Sequence, residues 1–470
     1  MSDLVIATVP PSKLDPGGQA ESQRGERGRS HGLSLIFWLM EQRFVTLLAI
    51  PTTVATLLTW ATRGGAALFF AYWLAVPLLG VVLPLLYLVL LSWRHDAGPA
   101  NWDDALEFRD PNEGRRWKGK KVPMATVYEA YIAGRLNFKI DLQELLLRRN
   151  ELFRFCFTWS DVRFYFAKFL GQNLNHNARA DKEDVQPVYD RGNDFYGWFL
   201  GETMVYTGGI FRDEAEPLEV AQIRKLETIC QSVQMTPGDR HLDIGCGWGA
   251  LAMRAASKYG AHCVGVTLSQ RQFELANERV RQAGLQDRVE IRLQDYRDVQ
   301  GQFDRITSVG MFEHVGLKHL QAYFARIRQL LTDDGWALNH GITSTDANDG
   351  ETSLGGGRFI DRYVFPQGEL PHIGTVLKTM QLGGLEATDV ENLRRHYART
   401  MGHWSQAFEA SAEKLKAMVD EKRWRIWRVY LAGCQWTFDH DETSLYQVLC
   451  RKAGRLSNGL PWSRRWIYQR

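Results

Sequence analysis

Residues 242–249 have the sequence LDIGCGWG, in which an apolar, strand-forming segment ends at three closely spaced glycines. Gly245, Gly247 and Gly249 allow the backbone after the strand to turn sharply and to pass close to a bound nucleoside. The carboxyl end of such a strand is where open α/β sheets bind their ligands. The GxGxG spacing differs from the GxGxxG of dinucleotide sites, and no GK[ST] follows that would hold a triphosphate.

The residues around this motif favour an S-adenosylmethionine (SAM) site, although other nucleotide uses stay open on the glycines alone. We expect Asp243 to organise the turn and to face the methionine amino group. After the second predicted strand, hydroxyl and amide side chains replace the carboxylate that often holds the ribose. After the third strand, an acidic and an aromatic residue either meet the adenine or are simply a solvated Asp and a packing Tyr. These predicted sugar and adenine contacts are Thr267, Ser269, Gln272, Asp295 and Tyr296.

From Pro237 onward, the sequence alternates between strand-like and helix-like segments. The strand-like segments are RHLDIGC, HCVGVTLS, VEIRLQDY, FDRITSVGMF and WALNHGI, and helical stretches such as QRQFELANERVRQAG separate them. This alternation predicts an α/β fold in which helices cover both faces of a parallel sheet.

The composition argues against a nucleic-acid-binding protein and against a protein with a cysteine metal site. The chain has 57 Lys and Arg against 54 Asp and Glu, a balance that disfavours a nucleic-acid partner. Its six cysteines form no CxxC pair and have no neighbouring His cluster, so we predict buried free thiols and no metal site.

The N-terminal part has the pattern of a membrane anchor. Residues 1–32 are polar and lack apolar periodicity, which is typical of a disordered cytosolic tail. Two uncharged segments follow, and they predict transmembrane helices at about 44–62 and 66–92, joined as a hairpin at Arg63. The alternative is a hairpin buried in a soluble core or lying in the membrane interface. Basic residues on both flanks place the catalytic part on the cytosolic face.

Two further segments border the catalytic domain. Residues 96–185 form a predicted helical lead-in region, whose aromatic residues at helical spacing favour packing on the catalytic domain over contact with lipid. The C-terminal part carries Trp424, Trp427 and Trp436 among arginines, and residues 456–470 form a basic aromatic tail. Such a surface suits a lipid leaflet, and a solvated basic face over core tryptophans explains it equally well.

Several longer motifs resemble the cyclopropane fatty acid synthase family of methyltransferases over roughly residues 125–452. They include VYDRGNDFYGWFLG (188–201), YTGGIF (206–211), FDRITSVGMFEHVG (303–316) and YVFPQGELP (363–371), together with LDIGCGWG. The resemblance implies a class I SAM-methyltransferase (Rossmann-like) domain with a mostly parallel seven-stranded sheet over residues 186–455. The pair of apolar spans and the first two motifs look closer to the sphingolipid C9-methyltransferase branch.

The resemblance also implies roles for individual residues. Tyr206 and Thr207 join the cofactor contacts, and Glu313, His340 and Tyr397 are the implied catalytic residues. In cyclopropane synthases the base is a bicarbonate ion. The implied bicarbonate-binding residues here are Gly208, Glu313, His340, Ile342 and Tyr397.

Two positions depart from the family pattern. Gly208 stands where the family has a Cys beside the anion, and Val188 stands where it usually has a His. The change at Gly208 bears on the product, because a different environment around the base is one route from ring closure to a methyl branch.

Three functions remain open at this point. The leading one is SAM-dependent C-methylation of a double bond in a sphingoid base, ceramide or unsaturated acyl chain, which leaves a methyl branch. The second is cyclopropane synthesis on unsaturated phospholipids, and the third is an inactive, membrane-tethered lipid-binding protein. The expected partners are a lipid substrate and the bilayer, without nucleic acid, and we allow for a homodimer.

Overall fold

The computed structural model describes residues 44–77, 83–94, 98–154, 156, 158, 192–347, 356–365, 369–454 and 462–468. The predicted N-terminal tail, Val188 and most of the second half of the lead-in region lie outside these residues. The chain divides into two compact units. One comprises residues 1–95 and 159–175, and the other comprises residues 96–158 and 176–470.

The described part of the first unit is helical. Helix α1 (Phe44–Ala61) turns at Arg63, which has a positive φ of 50°, into α2 (Ala66–Pro77), and α3 (Leu83–Arg94) follows. The indole of Trp73 donates to the Thr52 hydroxyl at 2.9 Å, so α1 and α2 form the predicted hairpin.

The two predicted transmembrane helices are not found. Within the residues that the structure describes, no helix combines the length and apolar character that crossing a bilayer requires. In the second predicted span, 66–92, the described residues on either side of positions 78–82 are helical.

The described part of the lead-in region, residues 98–154, packs on the catalytic domain, as its periodicity favoured. Tyr131 and Leu136 lie in the core of this region, and their carbonyls accept hydrogen bonds from the buried guanidinium of Arg425 at 2.9 and 3.1 Å. The elements of the region are β1 (Leu106–Phe108), α4 (Pro111–Trp117), β2 (Val122–Pro123), α5 (Met124–Ile132), β3 (Leu136–Phe138), α6 (Leu142–Leu147), α7 (Arg149–Leu152) and β4 (Phe153–Arg154).

The catalytic domain is built on a seven-stranded mixed sheet with the strand order β10-β11-β9-β8-β5-β6-β7. β11 is antiparallel to both of its neighbours, and the remaining contacts between neighbouring strands are parallel. The mostly parallel α/β sheet is therefore confirmed. The strands are β5 (Arg240–Ile244), β6 (His262–Thr267), β7 (Val289–Leu293), β8 (Phe303–Val309), β9 (Leu331–Ser344), β10 (Leu385–Asn392) and β11 (Thr443–Lys452).

Helices cover both faces of this sheet. Leu338 and Leu449 belong to the hydrophobic cluster on one face, and their chain neighbours Ala337 and Val448 belong to the cluster on the other. This alternation follows from the two-residue period of a strand. The helices are α8 (Asn193–Leu200), α9 (Leu218–Ser232), α10 (Ala250–Tyr259), α11 (Gln270–Gln282), α12 (Leu320–Leu330), α13 (Gly356–Tyr363), α14 (Ile373–Leu382), α15 (Arg394–Ala410), α16 (Ala412–Val419), α17 (Glu421–Asp439) and α18 (Arg465–Tyr468).

Helices α8, α15 and α17 meet in an aromatic core. Trp424, Trp427 and Trp436 of α17 are all buried, so these tryptophans are core residues and not a lipid-facing surface. The six cysteines are free thiols, five of them buried and Cys434 partly buried.

Candidate active site

The glycine motif forms a tight turn between β5 and α10. Gly245, Gly247 and Gly249 all have positive φ values, of 75°, 54° and 80°, a conformation that favours glycine. The amides of Gly245 and Cys246 both donate to the carbonyl of Val266 at 3.0 Å, which ties the turn to β6.

The three glycines have different structural roles. Gly245 and Gly247 line a cavity of about 530 Å³ at the carboxyl ends of the strands. Gly249 does not line this cavity. A β-carbon at Gly249 would meet that of Ala276 at 3.4 Å, so this glycine brings the start of α10 close to α11.

Most of the predicted cofactor contacts line the same cavity. Thr267 and Gln272 lie on its wall, where the Thr267 hydroxyl donates to Oε1 of Gln272 at 2.8 Å. Ser269 is buried behind the wall, and its Oγ accepts from the Gln272 amide at 3.3 Å as the N-cap of α11. The remaining predicted contacts on the wall are Tyr206, Thr207, Asp243, Asp295 and Tyr296.

Asp243 is the buried acid of this cavity. Its side chain is 2% exposed, and Oδ1 accepts from the Thr307 hydroxyl at 2.9 Å. Burial raises the pKa of Asp243 to about 6, although the Thr307 hydrogen bond and the charge of Lys225 both oppose this rise. A carboxylate in this position can accept hydrogen bonds from a cationic amine.

The adenine-side pair differs in part from the prediction. Asp295 lines the cavity, and its carboxylate also accepts hydrogen bonds from the Arg297 amide at 2.9 Å and from the Arg297 guanidinium at 2.7 Å. Tyr296 packs edge-on against Tyr323 with their ring centroids 5.4 Å apart. Tyr296 therefore lines the cavity and also has the packing role that the sequence left open.

The implied catalytic residues lie next to the wall of the cavity. Glu313 lies two residues after the wall residue Met311, in a short 3₁₀ turn, Phe312–His314. His340 is the register partner of the wall residue Val309, and its carbonyl accepts from the Gly310 amide at 2.8 Å.

Glu313 and His340 are both buried and have unused hydrogen-bonding atoms. Among the described residues, Oε2 of Glu313 has no hydrogen-bond partner, and the ring nitrogens of His340 have at most a marginal contact with the side chain of Gln447. Burial raises the pKa of Glu313 to about 7, whereas burial and then the charge of Lys225 lower the pKa of His340 to about 3. Near neutral pH the imidazole is therefore neutral, and the carboxyl group can exist in either protonation state.

The amide of Ile342 has a role that the sequence did not predict. It donates to Oε1 of Glu313 at 2.7 Å, beyond the point where β8 ends and no longer pairs with β9. This bond anchors the Glu313 carboxyl group, and Oε2 has no partner in the part of the chain that the structure describes.

Gly208 and Tyr397 are in contact. A β-carbon at Gly208 would lie 3.2 Å from Cβ of Tyr397 and 2.9 Å from Cδ2 of Leu445, and Leu445 pairs with Ile342 across the sheet. The next amide, of Gly209, donates to the Thr400 hydroxyl on α15 at 2.9 Å. Contacts therefore link Glu313 through Ile342 and Leu445 to Gly208 and Tyr397, and His340 lies two residues before Ile342 on β9.

An aromatic cluster continues from the cavity wall. The ring of Tyr206 lies 5.3 Å from that of Trp404 and 5.5 Å from that of Tyr196, and its hydroxyl donates to Tyr430 at 3.3 Å. Aromatic faces attract cations and exclude water, so this cluster can border a site where positive charge develops.

Sequence reasoning missed several charged or titratable residues on the cavity wall, and Lys225 and His314 are the buried ones with shifted pKa values. Burial lowers the pKa of Lys225 to about 7 and that of His314 to about 4. His314 lies within the MFEHVG motif and could have been included with it. Lys225 gives no local signal, because it is one lysine on a mixed helix and only the packing of α9 on the sheet buries it.

Comparisons with known proteins agree with this geometry. A family model described as mycolic acid cyclopropane synthetase matches residues 176–448. A probable fatty acid methyltransferase from Pseudomonas putida is 39% identical over 343 residues, covering 72% of this chain and 86% of that protein. A sphingolipid C9-methyltransferase from Komagataella phaffii is 30% identical over 426 residues, covering 86% of each.

Two solved structures of cyclopropane synthases are also similar to this chain. A cyclopropane synthase from Mycobacterium tuberculosis is 32% identical with a TM-score of 0.56, covering 58% of this chain and 98% of that chain. A mycolic acid cyclopropane synthase solved with S-adenosylhomocysteine (SAH) and CTAB is also 32% identical, with a TM-score of 0.55 and the same coverage.

Proposed function

The chain belongs to the mycolic acid cyclopropane synthetase family of SAM-dependent methyltransferases, and from that membership we propose that it methylates a carbon–carbon double bond in a lipid chain and leaves a methyl branch. The leading substrates are a sphingoid base or ceramide and an unsaturated acyl chain. Residence at the cytosolic face of a membrane stays a prediction.

The cavity fits SAM in size and chemistry. Its volume of about 530 Å³ lies within the range of small-molecule sites, and positive-φ glycines bring the backbone to its wall. Asp243 would accept hydrogen bonds from the methionine ammonium, and Thr267 with Gln272 would face the ribose. When bound, SAM supplies the methyl group on its sulfonium to the double bond.

Methylation of an alkene makes a demand that transfer to oxygen or nitrogen does not make. Attack by the double bond leaves positive charge on the neighbouring lipid carbon, and the product forms only when a C–H bond gives up its proton. The site must therefore hold a base in a dry environment and must stabilise positive charge.

The observation that carries the proposal is the pair of buried, partly unsatisfied groups beside the cavity, Glu313 and His340. Burying polar atoms without partners is costly, so such atoms at a cavity favour a functional role. The amide of Ile342 fixes Oε1 of Glu313, which leaves Oε2 as the oxygen that can take up a proton. The raised pKa of Glu313, about 7, suits a group that gains and loses a proton near neutral pH.

The same residues fit a bicarbonate ion. The single N–H of the neutral His340 imidazole and the hydroxyl of Tyr397 would donate to the anion, whereas Oε2 of Glu313 would accept from its hydroxyl group. Bound there, bicarbonate would serve as the proton acceptor. Lys225, whose charge reaches His340, adds positive potential to this region.

The packing at Gly208 supports the methyl branch over the ring. The side chains of Leu445 and Tyr397 approach the place that a larger side chain at position 208 would fill. An apolar contact therefore stands where the family has a thiol, and the polarity on this side of the base site is reduced. We propose that this change favours loss of a proton from a chain carbon.

A direct test uses the purified full-length protein, SAM, and vesicles that contain either an unsaturated phospholipid or a ceramide with a double bond in its sphingoid base. The expected result is a mass gain of one CH₂ on one of these lipids, with fragmentation locating it at the former double bond. Glu313→Gln should strongly reduce the yield, and the surface variant Glu413→Gln is the matched control because its side chain is 90% exposed. SAH binding without product on any unsaturated lipid would contradict the proposal.

A further inference from the structure

Lys225 is a buried cation on the wall of the cofactor cavity. It lies on α9, only 1% of its surface is exposed, and its Nζ donates to Oγ1 of Thr207 at 2.6 Å. Both residues line the same cavity as Asp243.

The internal contacts of Lys225 do not account for its burial. An ammonium group carries three donors, and within the described part of the chain the Thr207 hydroxyl is its one hydrogen-bond acceptor. Burial lowers the pKa of Lys225 to about 7, and the nearby charge of Asp243 offsets part of that effect. A buried cation with one neutral partner is costly, which favours a further, anionic partner in the cavity.

The Thr207 side chain is held in one orientation. A β-carbon at Gly310 would lie 2.9 Å from Cγ2 of Thr207, so the threonine methyl group packs against this glycine. The side-chain amide of Gln222, one turn before Lys225 on α9, donates through Nε2 to the Thr207 carbonyl at 2.8 Å. Because Lys225 already donates to the Thr207 oxygen, the hydroxyl proton of Thr207 is left to donate elsewhere.

We propose that Lys225 and Thr207 bind the α-carboxylate of the methionine part of SAM, opposite Asp243, which faces the α-ammonium. The methionine part is a zwitterion, and Lys225 and Asp243 form a cation and an anion close enough to shift each other's ionisation. Charge-assisted hydrogen bonds of this kind are about twice as strong as neutral ones. The inference rests on the cofactor use in the proposed function, and not on the identity of the lipid.

The test is a thermodynamic cycle measured by isothermal titration calorimetry on the full-length protein. The ligands are SAH and S-adenosyl-3-thiopropylamine, which differs from SAH only by lacking the α-carboxylate. The proteins are the unaltered chain, Lys225→Met, and the control Lys258→Met, whose lysine pairs with Glu227 and is half exposed. The unaltered chain and the control should bind SAH at least about tenfold more tightly than the amine.

In Lys225→Met this preference should fall to about twofold or less, through loss of SAH affinity. The proposal is overturned if the carboxylate makes no difference in the unaltered protein, or if Lys225→Met weakens both ligands equally, which is the signature of a structural role. If Lys225→Met does not fold, Lys225→Gln takes its place in the cycle. Because no lipid is present, failure to find a methylated lipid would leave this result intact, whereas absence of SAH binding would contradict both proposals.

Discussion

The stability of Glu313→Gln relative to the unaltered chain should rise with pH. Glu313 is 7% exposed as a residue, and burial raises the pKa of its carboxyl group from 4.5 to about 7. Because the folded-state pKa lies above the unfolded-state value, the native protein holds the proton more tightly. Its stability therefore falls as the pH rises from about 4.5 to about 7.

The size of the effect follows from that shift. Each pKa unit corresponds to about 1.4 kcal/mol. Ionisation of the buried Glu313 carboxyl group therefore lowers the free energy of unfolding by roughly 0.8 kcal/mol at pH 5 and roughly 3.3 kcal/mol at pH 8. Glutamine does not titrate, and it keeps an oxygen that can accept from the Ile342 amide. The stability of the variant relative to the unaltered chain should thus rise by about 2.5 kcal/mol between pH 5 and pH 8.

The assay is urea unfolding followed by tryptophan fluorescence at both pH values. Any cost of burying the glutamine NH₂ group does not depend on pH and cancels in the difference. Glu413→Gln, on the surface, should show little change between the two pH values. A stability difference for Glu313→Gln that is equal at pH 5 and pH 8 would refute the placement of a buried, titrating carboxyl group beside the cavity.

Three further substitutions probe the site. Asp243→Ala should weaken SAH binding by about a hundredfold or more in calorimetry, because a buried, charge-assisted contact to the methionine ammonium is lost; unchanged binding would contradict its assignment. Gly208→Ala should cost about 1–3 kcal/mol in urea unfolding, because the new β-carbon would lie 2.9 Å from Leu445, and Leu445→Ala in the same chain should relieve the clash. Gly341→Ala should be destabilised by a larger amount in the same assay, because its β-carbon would enter the ring of Phe312; equal costs for the two glycines would argue against the packing of Phe312 on β9.

The sheet and the cofactor wall could be predicted because their signals are local. A strand that ends in LDIGCGWG specifies a turn with positive φ, and five strand-like segments alternate with helices. The motifs do not show which of their residues face the ligand. Gly249 instead allows close packing against α11, and Ser269 caps the start of α11.

The remaining features depend on contacts between distant segments. The sequence does not show that α9 buries Lys225 against the sheet, nor that the Ile342 amide anchors Glu313. The uncharged N-terminal segments predicted two membrane-spanning helices, whereas no helix among the described residues has the length and apolar character needed to cross a bilayer.

The most direct test of the proposed methyl branch is to supply SAM whose transferred methyl group carries three deuterium atoms and to analyse the lipid product by mass spectrometry. If the proton leaves a chain carbon, as we propose, the product keeps all three deuterium atoms, and the proton spectrum shows a methyl-branched alkene. If the proton leaves the new methyl group, the product keeps only two and shows cyclopropane signals. That second result would contradict the proposed product and would make the protein a cyclopropane synthase.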